Sequence, residues 1–207
     1  MKNYRVKQRS SSFAVDWQRF EHLLGLYVCR SDGRATRNRP LWGIQWHLFS
    51  EVETLIDRLI SGGQTGVDRA ALAVALELGV PCGGWCPRGR RAEDGRIPAR
   101  FPLQESTSRN YAVRTRMNVA ESDGTLILSR GELTGGTALT ESIARQVGKP
   151  WLVIDLVAEF DAQPVEEWIA ENRIRTLNVA GPRESQQAGI FDQACEYLRT
   201  LINLTAE

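Results

Sequence analysis

Histidine is absent after residue 47, since both histidines of the chain, His22 and His47, lie near its start. That removes Ser-His and Cys-His catalysis and His-ligated metal from everything downstream. Cysteine is sparse too: Cys29, Cys82, Cys86 and Cys195 do not make a disulfide framework. Cys82 and Cys86 have three residues between them and no second pair, so no metal site is expected. Cys82 reads as a buried thiol and Cys86 as lying near a strand end. No apolar run approaches the ~18 residues of a membrane span, and the start lacks the apolar core and small-residue cleavage site of a signal peptide. A cytoplasmic protein without a membrane partner is expected.

What is present suits one α/β domain with an appendage: 207 residues, 42% of them hydrophobic. The near-neutral charge of +1 conceals a division. Residues 1–49 hold nine Lys/Arg and three Asp/Glu, a balance of +6, which leaves 17 against 22, or −5, for the remainder. Residues 1–50 therefore read as a basic N-terminal extension and residues 51–207 as the folded domain. Within the extension, Phe20, Leu23, Leu24 and Tyr27 recur at helical spacing, and Trp42 and Trp46 form a second short apolar patch. Three readings of it stay open: a disordered tail, an arm for nucleic acid, and translated sequence upstream of a start near Val52 or Leu55. A basic segment is more often a solvated tail, so nucleic acid is not the expected partner.

The run from Leu55 to Ile60 reads as a buried strand, and Val67 to Leu78 as a helix that stops at Gly79. Between them Ser61-Gly62-Gly63-Gln64-Thr65-Gly66 is a glycine-rich turn. Its glycines permit positive φ and close approach to bare backbone, while the first helix amides have no internal acceptor and carry the positive end of the dipole. A phosphate cradle is expected there, with Thr65 and Arg69 contributing.

Strand and helix then alternate, as in a parallel sheet with helices on both faces. Strands are expected at Val80–Trp85, Asp123–Leu128, Trp151–Leu156 and Arg175–Ala180. Helices are expected at Asn110–Glu121, from Ala138 to Gly148, at Val165–Asn172 and at Ser185–Leu204. On the Asn110–Glu121 helix, Val113, Met117 and Ala120 fall on one stripe. Pro87 to Ser108 is too long for a plain connection, and its Arg88, Arg90, Arg91, Arg96 and Arg100 fit either a phosphate clamp or a solvated loop. A second glycine-rich turn, Gly131 to Thr137 with Gly135 and Gly136, repeats the strand-turn-helix plan of the first. Two such turns at the carboxyl edge of one sheet mark a ligand site of an open α/β fold.

Four motifs in order carry a resemblance: Ile60 to Leu72; Gly83-Gly84-Trp85-Cys86-Pro87; Ser106 to Arg116; and Gly135-Gly136-Thr137 before Glu141. Together they resemble the family named "putative molybdenum carrier", a circularly permuted branch of the SLOG superfamily related to lysine-decarboxylase-like proteins, over about Leu55 to Leu201. The resemblance implies a Rossmann-like open parallel sheet of about five strands with a pocket for a phosphate-bearing nucleotide or pterin such as the molybdenum cofactor. It also implies Ser61, Gly62, Gly63, Gln64, Thr65, Gly66, Arg69, Gly135, Gly136 and Thr137 as ligand contacts. Phosphoribohydrolases of the wider superfamily carry an arginine before the third strand, where Arg114 stands, and a Pro-Gly-Gly-x-Gly-Thr-x-x-Glu turn after it. Here Leu133-Thr134 replaces the proline, Ala138 falls where the later glycine belongs, and Glu141 aligns with a one-residue slip. Two functions follow: a carrier of a small phosphate-bearing ligand, with a homo-oligomer compatible, or an N-glycosidic hydrolase of nucleoside monophosphates. In the hydrolase Glu141 would assist water and Arg114 would position phosphate.

Overall fold

The apolar run of the third expected strand is buried at all six positions, Gly124–Ser129, as a strand covered by helices on both faces must be. The computed structural model describes residues 55–157 and 161–204, and the expectations placed on residues 1–50 lie outside them. The main sheet is built from β1 (Arg58–Ile60), β2 (Cys82–Gly83), β7 (Gly124–Ser129), β8 (Trp151–Asp155) and β9 (Thr176–Ala180). All of its pairings are parallel, in the order β2-β1-β9-β7-β8. The helices of the described residues are α1 (Val67–Glu77), α2 (Tyr111–Glu121), α3 (Gly135–Val147), α4 (Gln163–Glu171) and α5 (Ile190–Leu204). The Rossmann-like class is as expected, and none of the described helices is long and apolar enough to cross a membrane.

The order shows how the chain is permuted. Counting from β9 through β1, β2, β7 and β8 gives 3-2-1-4-5 across the sheet, the dinucleotide-binding order, with the last strand of the chain at the centre. Neighbours diverge on either side of the β9/β7 boundary, so the crevice at the carboxyl ends of those two strands is the topological switch point.

One core joins the sheet to α1, α4 and α5 through Leu59, Val67, Val74, Leu177, Val179 and Leu198. Ala70, Ala71 and Ala75 are fully buried, and their small size lets α1 lie close to its neighbours. A smaller cluster, Val119, Ile143 and Ala144, joins α2 to α3. Gly148, the last expected stop, is in the left-handed conformation at the end of α3 (φ 72, ψ 24).

The bounds of the second strand and of the last helix, and the buried face of α2, differ from expectation. The second strand breaks at Gly84 (φ 121), where a Cβ would lie 2.9 Å from Ser61 N. Beyond the break, β3 (Trp85–Cys86) pairs with β6 (Gln104–Glu105) in a separate ribbon. Cys86 lies at the end of β3, as expected, and is buried, whereas Cys82, expected to be buried, is partly exposed. The last helix begins at Ile190 rather than Ser185, because Glu184 turns back to accept from Gly189 N and from Phe191 N (3.0 Å). On α2 the buried residues are Thr115, Asn118 and Val119, and Val113 is 37% exposed. The Asn118 amide closes the strand break, accepting from Trp85 N (2.7 Å) and donating to Trp85 O (3.1 Å).

Candidate functional site

At the switch point a cavity of about 180 Å³ lies between the start of α1, the first half of α2, the start of α3 and the turn after β9. Arg114 from α2 crosses it to Asp68 in the first turn of α1 (Nη1 to Oδ2, 3.0 Å), with only 13% and 4% of the two side chains exposed. Burial pushes the Asp68 carboxyl above its ordinary range, outweighing the pull of Arg114 and of the Gln64 and Gly181 amides. Arg183, from the β9 turn, stacks over the Tyr111 ring at 5.0 Å.

Uncommitted donors converge on this space. Arg114 Nε and Gln64 Nε2 are buried without an acceptor. At α3 the N-cap Thr134 makes no side-chain cap; its carbonyl takes the Thr137 and Ala138 amides (3.1 and 3.3 Å), which leaves those of Gly135 and Gly136 without a protein acceptor. Gly136 faces open space, with no atom within 4 Å of the position a Cβ would take. Thr137 and Thr140 complete that wall. Two guanidinium groups, a helix amino end and one carboxyl held toward its neutral form favour an anion here.

The structure divides the ten expected contacts among the cavity, the packed interior and a second groove. Gln64, Gly136 and Thr137 line the cavity with Arg114, and Gly135 lies at its edge on α3. Ser61 is fully buried and donates to Val179 O (2.7 Å), tying β1 to β9. Gly62 makes room for the Arg114 guanidinium, and Gly63 (φ 74) for Leu103 and Ile97. Gly66 (φ 70) sits against the Pro182–Glu184 backbone, where Val67 N donates to Pro182 O (3.2 Å). The first turn is thus wrapped by protein.

Thr65 and Arg69 face a separate open groove of about 580 Å³. The acidic tip of the hairpin β4 (Arg91–Ala92) and β5 (Gly95–Arg96) enters it. Glu93 accepts from Thr65 Oγ1, Ser185 Oγ and Ser185 N (3.3 Å). Partial burial acts to raise the Glu93 carboxyl, but the Ser185 and Thr65 hydroxyls outweigh it and hold it below its ordinary value. Asp94 pairs with both terminal nitrogens of Arg69, and that guanidinium holds its carboxyl low. Of the five loop arginines, Arg90 binds the carbonyls of Ile97 (3.2 Å), Leu103 (3.0 Å), Pro98 (2.9 Å) and Phe101 (2.9 Å), and none lines the cavity. Glu141 pairs with Arg145 one helical turn on (2.7 Å) and stands outside the cavity lining.

Sequence reasoning missed Asp68, Tyr111 and the turn Gly181 to Gln186. The signal for the turn was a Gly-Pro-Arg-Glu-Ser run directly after a strand, the same glycine-after-strand cue that marked the other two turns. The profile of the circularly permutated YpsA SLOG family matches residues 59–202. The chain belongs to that family. Central β9, the last of the described strands in the chain, accords with a circular permutation. A crystal structure of a protein named "Putative molybdenum carrier protein", from Syntrophus aciditrophicus SB, is 45% identical, with a TM-score of 0.71 over 72% of this chain and 96% of that one. No curated protein matches the chain. Within this permuted SLOG chain, the cavity draws on four separate stretches: the first glycine turn with the start of α1, the first half of α2, the second glycine turn with the start of α3, and the β9 turn.

Proposed function

We propose that this SLOG protein is a carrier-type binding protein for a small phosphate-bearing ligand, a pterin of the molybdenum-cofactor kind or a nucleotide. The observation that carries this reading is the set of donors around one cavity with nothing to donate to: Gln64 Nε2, Arg114 Nε and the Gly135 and Gly136 amides of α3. A volume of about 180 Å³ equals roughly six waters, room for a phosphate and part of a sugar but not for a dinucleotide. The rest of the ligand leaves past half-buried Tyr111 and Arg183, whose stack offers a flat surface to a ring. The likeness to the protein named a molybdenum carrier supports the pterin. These donors fit the phosphate end of such a cofactor, and the described residues offer no cluster of three side chains able to hold a metal. Holding the ligand requires no chemical step. The hydrolase is the weaker reading, since Glu141 is paired with Arg145 and away from the cavity. A cytoplasmic location accords with the free thiols of Cys82, Cys86 and Cys195.

The test uses native mass spectrometry of freshly purified full chain, followed by melts with AMP and with inorganic phosphate. A copurifying pterin or nucleotide mass, and a melt raised by the probes, are expected. Gly136→Asp puts a carboxylate into the open space at the amino end of α3, where it suits the helix dipole by about 0.3–1 kcal/mol while repelling phosphate. That variant should fold and lose the shift. A parent that carries nothing and ignores both probes, or a Gly136→Asp protein that binds as the parent does, would overturn the reading.

A further inference from the structure

Gln64 is 3% exposed and lines the cavity, yet its Nε2 meets no acceptor. Its other end is fixed, because the backbone N–H of Glu93 donates to Oε1 at 3.2 Å. A backbone N–H can only donate, so turning the amide over would set donor against donor; the NH2 group is therefore held toward the cavity. Glu93 and Asp94 form the tip of the β4–β5 hairpin and tie it to Thr65, Ser185 and Arg69. Gln64 thus touches the cavity with one end and the hairpin with the other.

We infer that Gln64 is the specificity-determining contact of the cavity, requiring an acceptor oxygen on the ligand, and that it couples occupancy to closure of the β4–β5 hairpin. This inference rests on the anion-binding reading above. An acceptor on Nε2 removes the penalty of an orphaned buried donor, whereas a ligand donor at that place meets a donor and is rejected. The same contact polarises the amide and strengthens Oε1 as the acceptor for Glu93 N–H, so an occupied cavity holds the hairpin more firmly. The acidic tip then stays on Thr65 and Arg69, along the groove beside the first glycine turn.

The test is hydrogen-exchange mass spectrometry of residues 88–97 in the full chain, with affinities for AMP, inorganic phosphate and adenosine measured alongside. Gln64→Met removes the acceptor, so the ligand-free variant should exchange the Glu93 amide about tenfold faster. Gln64→Glu keeps the acceptor and should retain protection, but it lacks the donor and should bind AMP at least about tenfold more weakly. AMP should slow exchange of the hairpin in the parent and not in Gln64→Met. If phosphate reproduces that effect and adenosine does not, the acceptor is a phosphoryl oxygen; the converse assigns it to the sugar or base. Unchanged Glu93 exchange in Gln64→Met overturns the coupling whether or not a ligand binds. A parent that binds AMP no better than Gln64→Glu overturns the specificity role, and if that variant does not fold, Gln64→Met carries the same comparison. A parent that binds none of the three probes overturns the proposed function instead, and the ligand-free exchange still decides the coupling.

Discussion

Gly62→Ala is the sharpest probe of the site, because it adds one methyl at the point where two chain segments meet. Gly62 is not among the glycines with positive φ, so alanine is acceptable on backbone grounds. The cost comes from what the methyl meets: its position falls on the Arg114 guanidinium and 2.8 Å from Asp68 Oδ2. Arg114 cannot withdraw without loosening its 3.0 Å bond to a carboxyl that is 4% exposed. Overpacking alone costs about 1–3 kcal/mol, and separating a buried pair about 3–5 kcal/mol. A destabilisation of about 3 kcal/mol is expected, lowering the thermal midpoint of a chain this long by about 6–12 °C. Circular dichroism melts and urea titrations of the full chain measure it. The control is the same alanine in an Arg114→Ala background, where the obstructing head group is gone and the added cost should fall below about 1 kcal/mol, a coupling read from the double-mutant cycle. A Gly62→Ala midpoint within about 2 °C of the parent, or additive costs in the cycle, would refute the view that this glycine serves the arginine.

The remaining predictions concern protonation, catalysis and domain limits. Burial raises the Asp68 carboxyl above its unfolded value, so its stabilising contribution is full below the ordinary aspartate range and is lost as pH rises through the folded value. The stability of the parent relative to Asp68→Asn should accordingly fall as pH rises above the ordinary aspartate range in urea titrations; a relative gain would show that Arg114, not burial, governs the group. Glu141→Gln should cost under about 1 kcal/mol, as the loss of an exposed helical ion pair does, and should leave AMP binding unchanged. Parent protein incubated with nucleoside monophosphates should release no free base by chromatography. Release that falls about 10²–10⁴-fold in Glu141→Gln would replace the carrier with the hydrolase. A chain beginning at Val52 should melt as cooperatively as the full chain, since residues 1–49 carry the opposite charge balance and the family match begins at residue 59; an insoluble product would sink the separation at residue 50.

By itself the sequence determined the α/β alternation, the two glycine-rich turns at strand ends and the family resemblance. Apolar periodicity, helix stops such as Gly148 and glycine after a strand are local signals, readable within a dozen residues. Only the tertiary structure decided what the turns face. Gln64 and Thr65 are adjacent and both are bonded to Glu93, yet one lines the cavity and the other faces the separate groove. Gly62 is a glycine because of an arginine on α2, whose partner Asp68 is 46 positions distant. The α2 helix turns its apolar stripe outward because Asn118 must close a strand break and Arg114 must reach Asp68. β9 stands at the centre although the chain reaches it last, since strand order depends on crossover geometry, which periodicity does not encode. A charged or polar side chain takes whichever partner the fold brings near it, and in this chain most of those partners come from segments far away in the sequence.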